Sequence, residues 1–227
     1  EGVRQGDPAA TAAFCMGLQR ILLETVRRHP AALLFAITDD VTVCANGVAG
    51  VPVAQTLTQL AKDRLNLDVV PRKSTAFSYD GTAGAAAAAA LGYQHAEDGI
   101  VCVGTPIGYD DYQAAYAARK VDAAQRAIHA TLDLPLRKQE RWVLLTQSQQ
   151  LAIQHLYRLV EWDRFEEPAK RMEEVVVRAG CAILEIPLPA RYAEDGAPRL
   201  TRSQDEQLVA AHRHAGMGLI PEKSVQQ

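Results

Sequence analysis

The chain has 227 residues, 48% of them hydrophobic and 22% charged, a balance that supports a sizeable folded core and excludes wholesale disorder. Its formal net charge of −3 and pI of about 6.1 exclude a uniformly basic nucleic-acid binder, though not a single basic groove on a mixed surface. The 4 cysteines (Cys15, Cys44, Cys102 and Cys181) form no CxxC pair, which argues against a zinc site or a disulfide framework and for a reducing intracellular compartment, nuclear or cytoplasmic. No apolar run reaches the roughly 18 residues of a membrane span, so no membrane partner is expected.

In chain order, Asp7-Pro8 reads as a helix start, with an acceptor side chain before a proline suited to the first helical position. Phe14, Leu18, Ile21, Leu22 and Thr25 continue with helical spacing, and Pro30 stops the helix after His29. "ALLFAI" (32–37) and "VTVCA" (41–45) are strand-like runs separated by Thr38, Asp39 and Asp40. That predicts a β-hairpin with both acids at its tip. Residues 46–50 read as a turn and 52–65 as a second helix. "LDVV" and "TAFSY" read as short strands flanking Pro71, Arg72 and Lys73. The alanine run 83–90 has helical propensity, but Gly81 and Gly84 precede it, and a variable loop is the reading adopted. "IVCV" (100–103) reads as a strand and "GTPIG" (104–108) as a turn.

After Tyr109 the pattern becomes helical, with helices expected over 110–131, 138–161 and 168–179, broken near Pro135 and Pro168. "CAILEIPLP" reads as extended. Ser203 with Glu206 suggests a capping box for a helix over 204–215, closed by Gly216. The expected class is α+β, mixed elements first and helices later, with the boundary near residue 109. No internal repeat is present.

Two adjacent carboxylates held by stiff strands suit a hard divalent cation, which takes a few carboxylate oxygens together with substrate phosphates. Two such ions about 4 Å apart activate an attacking hydroxyl and stabilise a leaving oxygen in phosphoryl transfer. Acids are also common at turns because they bond their own backbone, so the pair alone decides nothing.

The neighbouring segments add context. "EGVRQGDP" (1–8) resembles the "GVRQGDPLSP" signature of reverse transcriptases from non-LTR (LINE-like) retrotransposons and group II introns. "AITDDVTV" resembles that family's "YADDVTL", "LNLDVVPRKSTAF" its "LxLNxxKS" segment, and "VGTPIG" its "LGxPIG" turn. "HAGMGL" (214–219) is similar to the "GGLGL" that follows the thumb. Order and spacing agree along nearly the whole chain. The first motif is highly specific and the others are weak alone.

The resemblance implies an RNA-directed DNA polymerase that adds deoxynucleotides to a primer 3′-hydroxyl with two Mg²⁺ ions. Its implied partners are an RNA template, a DNA primer and deoxynucleoside triphosphates. Asp39 and Asp40 match the catalytic metal pair, and Lys73 a lysine near the pyrophosphate leaving group. Gly2, Arg4, Gln5, Gly6, Asp7 and Pro8 match the segment that lines the nucleotide and template pocket. Gly104, Pro106, Ile107 and Gly108 match the turn that grips the primer. The implied domains are the C-terminal part of a palm (1–108), a helical thumb (109–180) and a post-thumb connector with one helix (181–227). On the expected thumb, Arg119, Lys120, Arg126, Arg137, Lys138 and Arg141 form a basic patch suited to phosphates, although such a charge run is more often a solvated helix face. Trp142, Tyr157, Trp162 and Phe165 are expected in the core.

Ile37 stands where the family carries an aromatic, Thr38 where it carries a small residue, and Ala9-Ala10 where it carries "LS". The family also uses a third aspartate on a strand before the first motif, and fingers that precede it. The chain is therefore expected to be a piece of a longer polyprotein, inactive alone. Two other readings stand beside this one: a catalytically inactive, retroelement-derived nucleic-acid-binding module, and an unrelated α/β domain with chance matches.

Overall fold

A computed structural model describes residues 9–193, 195 and 197–209. Asp7, Pro8, Gly216, His212, His214 and the "HAGMGL" segment therefore lie outside the described residues. The chain divides into two compact units at Tyr109/Asp110. Among the described residues the architecture is mixed, with two-stranded sheets confined to the first unit and helices dominating the second.

In the first unit, helix α1 (Ala10–Arg28) places Leu18, Ile21 and Thr25 on its buried side. Strands β1 (Leu33–Ile37) and β2 (Asp40–Cys44) form an antiparallel hairpin. Helix α2 (Gly50–Leu65) follows and ends at Asn66, whose left-handed φ of 52° an asparagine side chain tolerates. Side chains alternate across a strand. Leu34, Val41 and Val43 therefore share one hairpin face, which packs on a cluster of Ile21, Leu57, Leu60 and Ala61. His29 joins α1 to α2 through a 2.8 Å hydrogen bond between Nε2 and Thr56 Oγ1.

The 83–90 segment is helical, not a loop: α3 spans Gly81–Leu91. Asp80 caps it by accepting from the backbone N–H groups of Thr82 and Ala83, and Gly92 closes it at φ +66°. Alanine propensity prevails because both ends carry the right cap. Gly84 lies where a Cβ would come 3.0 Å from His95 Nε2, so it serves close packing and does not break the helix. "LDVV" forms no strand, and "TAFSY" pairs only at β3 (Thr75–Ala76), in parallel with β4 (Gln94–His95). "GTPIG" is not a turn. Thr105–Gly108 is strand β6, paired antiparallel with β5 (Gly99–Cys102), and the turn is Val103-Gly104 alone.

The second unit is built on the pairing of α4 (Asp110–Asp133) with α7 (Trp162–Leu184). The expected 138–161 helix is interrupted: α5 (Lys138–Gln147) ends at Ser148, and only the short α6 (Leu156–Leu159) resumes before α7. Pro168 breaks nothing. It lies inside α7, where it forfeits one backbone bond, but the adjoining Ala169 and nearby Phe165 are fully buried and hold the helix on the core. "CAILEIPLP" is not extended throughout, since α7 continues to Leu184 and closes at Glu185 with φ +57°. Helix α8 (Arg202–Val209) is capped two residues earlier than expected. Thr201 N donates to Gln204 Oε1 at 2.9 Å and Gln204 N to Thr201 Oγ1 at 3.4 Å, a box that replaces Ser203/Glu206. Leu200 and Leu208 share the core of 110–184, and Trp142, Tyr157, Trp162 and Phe165 all pack into it. Among the described residues, no helix is long and apolar enough to cross a membrane.

Candidate active site

The β1–β2 register pairs Ile37 with Asp40. The loop between the strands therefore has two residues, Thr38 and Asp39, and Asp40 is the first residue of β2. This corrects the expected three-residue tip. Thr38 takes φ +53°. Positive φ at only the first turn position is the pattern of a type II′ turn, whose twist matches the flanking strands. Glycine is the usual residue there. A β-branched residue at positive φ carries strain of about 1–3 kcal/mol. The Thr38 hydroxyl lies 2.7 Å from the Ile37 carbonyl and 3.0 Å from Asp39 Oδ1, so it can donate to either. That hydroxyl gives one carboxylate oxygen of Asp39 a local partner at the strained turn.

Asp39 and Asp40 are exposed. Asp40 lies on the outward hairpin face with Leu33, Phe35, Ile37, Thr42 and Cys44. Leu33, Phe35 and Ile37 are 63%, 52% and 53% exposed, so that face is apolar and open beside the acids. The hydrogen-bonded contact at its centre is Thr42 Oγ1 with Cys102 Sγ at 3.2 Å. Two hard carboxylates on a turn fixed by strands fit a Mg²⁺ ion that keeps several waters and takes its remaining oxygens from substrate phosphates. Among the described residues, no group of three His, Cys, Asp or Glu side chains gathers.

Thr38→Gly is expected to raise the stability of the first unit by about 1 kcal/mol, the strain relief being partly offset by about 0.4–1 kcal/mol of unfolded-chain entropy. A urea melt checks this. A fall in the midpoint would mean that the hydroxyl contacts outweigh the strain.

Gly2, Arg4, Gln5, Gly6, Asp7 and Pro8 lie outside the described residues. Lys73 is exposed at the end of a single 3-10 turn, Pro71–Lys73. Its side chain makes no ion pair among the described residues. Gly104 occupies the second turn position between β5 and β6 at φ +80°, after Val103 at +52°. Positive φ at both positions marks a type I′ turn. The turn makes Cys102–Thr105 the closing hydrogen-bonded pair, so Val101–Pro106 is a non-bonded pair and the missing proline N–H costs no ladder bond. Pro106 and Gly108 are buried and Ile107 is half-buried.

The basic residues of the second unit separate into two groups. Arg119, Lys120 and Arg126 are exposed on α4 and form no ion pair among the described residues. Arg119 Cζ and Lys120 Nζ stand 5.8 and 5.4 Å from the Tyr116 ring centre. Arg119 and Arg126 are two turns apart on one stripe, about 10.5 Å by helical rise, with the exposed Ala123 between them. The others are more engaged. Arg137 precedes α5, and its backbone N–H donates to Glu140. Lys138 pairs with Glu185 at 2.6 Å, and Arg141 donates to the Leu134 carbonyl at 2.8 Å.

The turn strain at Thr38 and Val103 has no signal in the sequence, because β-branched residues argue against positive φ. No family model, curated protein or solved structure matches the chain.

Proposed function

We propose that the chain is a palm-and-thumb segment of an RNA-directed DNA polymerase of the non-LTR retrotransposon type. The observation that carries the reading is the β1–β2 hairpin. It holds Asp39 exposed in the two-residue turn and Asp40 exposed at the start of β2, and its inner face packs through Leu34, Val41 and Val43 on Ile21 of α1. In the parent reaction, Asp39 and Asp40 hold Mg²⁺, which supplies charge neutralisation for the developing negative charge of phosphoryl transfer. Lys73 offers a cation to the departing pyrophosphate. Arg119, Lys120 and Arg126 hold the template–primer duplex by its phosphates. The buried Pro106 and Gly108 fix the β5–β6 hairpin against which the primer end rests.

A catalytically inactive descendant that keeps only nucleic-acid binding is the second reading. Ile37, exposed where the family carries an aromatic, favours it.

The test is fluorescence anisotropy with an RNA–DNA template–primer duplex over a range of salt. The chain is expected to bind, with log K falling linearly against log salt. Arg119→Gln with Arg126→Gln should reduce the magnitude of the slope by about 2, roughly one per phosphate-contacting cation. Absence of duplex binding, or a slope indifferent to both substitutions, would contradict the reading.

A further inference from the structure

Three aromatic rings of the first unit meet outside any described core cluster. Phe77 and Tyr79 have ring centres 5.1 Å apart, Tyr79 and Tyr109 5.6 Å, and Phe77 and Tyr109 6.1 Å. All three pairs are close to perpendicular, at 73°, 80° and 83°. The geometry is favourable edge-to-face packing. Both tyrosine hydroxyls are used internally. Tyr79 donates to the Gly108 carbonyl at 3.2 Å, and Tyr109 to the Tyr79 carbonyl at 2.8 Å. Tyr79 is nevertheless 61% exposed and Tyr109 42%. What they present outward is mainly ring, held in place by its own contacts.

A carboxylate borders these rings. Tyr109 N–H donates to the Asp98 carbonyl at 2.9 Å, which carries the β5–β6 register one pair beyond Gly99 and Gly108. Asp98 and Tyr109 are thus direct cross-strand neighbours. Such side chains share one face, with Cβ atoms about 4.5–5.5 Å apart. Glu97 precedes Asp98. Both acids are exposed, and neither forms an ion pair among the described residues. Asp80, next to Tyr79, differs: its carboxylate accepts from the Thr82 and Ala83 N–H groups at the start of α3. Lys73, the nearest lysine or arginine in sequence, precedes β3, whereas Phe77 and Tyr79 follow it. His95 lies against α3 at Gly84. Among the described residues, no lysine or arginine stands over any of the three rings.

We propose that Tyr79, Tyr109 and Asp98 form a docking surface for an arginine-bearing segment of a partner protein. An aromatic face carries negative potential and attracts a cation. A guanidinium is planar, stacks on such a face and donates to a carboxylate through its edge. One arginine can therefore use a tyrosine ring and Asp98 together. A lysine ammonium is a compact, strongly hydrated charge and matches this pair less well. Both hydroxyl protons are already donated, so the rings offer no free donor to an anionic or neutral acceptor. Nucleic acid is disfavoured because its phosphates would face Asp98 and Glu97. The inference does not rest on the polymerase reading and uses neither Asp39, Asp40 nor the α4 cations.

The test is fluorescence anisotropy with the full chain and a labelled peptide of alternating arginine and glycine. A second peptide carries citrulline in place of arginine, which keeps the planar shape and removes the charge. The arginine peptide is expected to bind about 2- to 30-fold more tightly. Asp98→Asn and Tyr79→Leu should each remove most of that preference. Tyr79→Phe, which keeps the ring and loses the hydroxyl bond, should retain it. Asp63→Asn removes the same charge from α2 and should also retain it, which separates the site from the negative charge of the whole chain. No binding of the arginine peptide, equal affinity for the two peptides, a preference that survives Asp98→Asn or Tyr79→Leu, or an equal loss with Asp63→Asn would overturn the proposal. Asp98→Asn decides the matter where Tyr79→Leu impairs folding, because the Asp98 carboxylate is exposed and forms no ion pair among the described residues. An oligothymidylate whose binding is lost in Tyr79→Leu, in the absence of peptide binding, would assign the rings to nucleic acid instead.

Discussion

Gly108→Ala is expected to disrupt the β5–β6 hairpin and most of the first unit with it. A Cβ at this position would lie 2.5 Å from Gly99 Cα and closer still to the Asp98 carbonyl oxygen. Both neighbours are backbone, so no rotamer change relieves the overlap. The close approach has a purpose, since Tyr109 N–H donates to that same Asp98 carbonyl at 2.9 Å and Tyr79 reaches the Gly108 carbonyl. Overpacking typically costs about 1–3 kcal/mol and occasionally more. The upper end is expected here because the backbone must move. Such a loss is a large fraction of the stability of a small unit. Near-UV circular dichroism of the tyrosines should lose intensity. An unchanged spectrum and melt would show that the strand pair shifts without cost.

Phe165→Ala is expected to cost the second unit about 3–5 kcal/mol. Phe165 is fully buried, with the Tyr157 ring edge-on at 4.8 Å. It anchors the first turns of α7, where Pro168 already removes a backbone bond, so packing must hold what hydrogen bonding does not. The readout is clean because the chain has 2 tryptophans, Trp142 and Trp162, both against the second-unit core. Tryptophan fluorescence therefore follows the second unit and should respond to Phe165→Ala but not to Gly108→Ala. Two units need not melt together, so a single transition is not assumed. If the fluorescence midpoint did not move, the second core would not be organised around this ring.

Much of this architecture was legible. The two short apolar, strand-like runs predicted the β1–β2 hairpin, and the pattern change after Tyr109 fell at the division between the units. The turn itself was not legible, because polar character placed Asp40 in the loop while strand pairing takes it into β2. The alanine run was misread for a related reason. Its propensity is helical, yet glycines at Gly81 and Gly84 looked like breakers, and only the Asp80 cap and the His95 contact explain them. Pro168 misled in the opposite direction, since burial of Phe165 and Ala169 outweighs one lost bond. "GTPIG" reads as a turn by composition, and register alone reveals that its proline occupies a non-bonded strand position. In the candidate site, the acids and the α4 cations were visible as residue types. Their grouping was not: the separation of Arg119, Lys120 and Arg126 from Lys138 and Arg141 depends on which carboxylates and carbonyls lie within reach.

The chemistry proposed for the first unit depends on the exposed, adjacent Asp39 and Asp40 carboxylates. Strain at Thr38 fits a turn kept for what it presents and not for stability, a trade common at functional positions. The open apolar face of Leu33, Phe35 and Ile37 places the acids at the border of a surface that water alone solvates poorly.

The most direct measurement is a Mn²⁺ titration followed by electron paramagnetic resonance, in which protein binding depletes the signal of the free ion. The wild-type chain should deplete it, the Asp39→Asn with Asp40→Asn variant should restore it, and Asp63→Asn, an acid on α2, should behave as wild type. Absence of depletion by the wild-type chain, or equal depletion by the double variant, would contradict the assignment of this turn as a metal site.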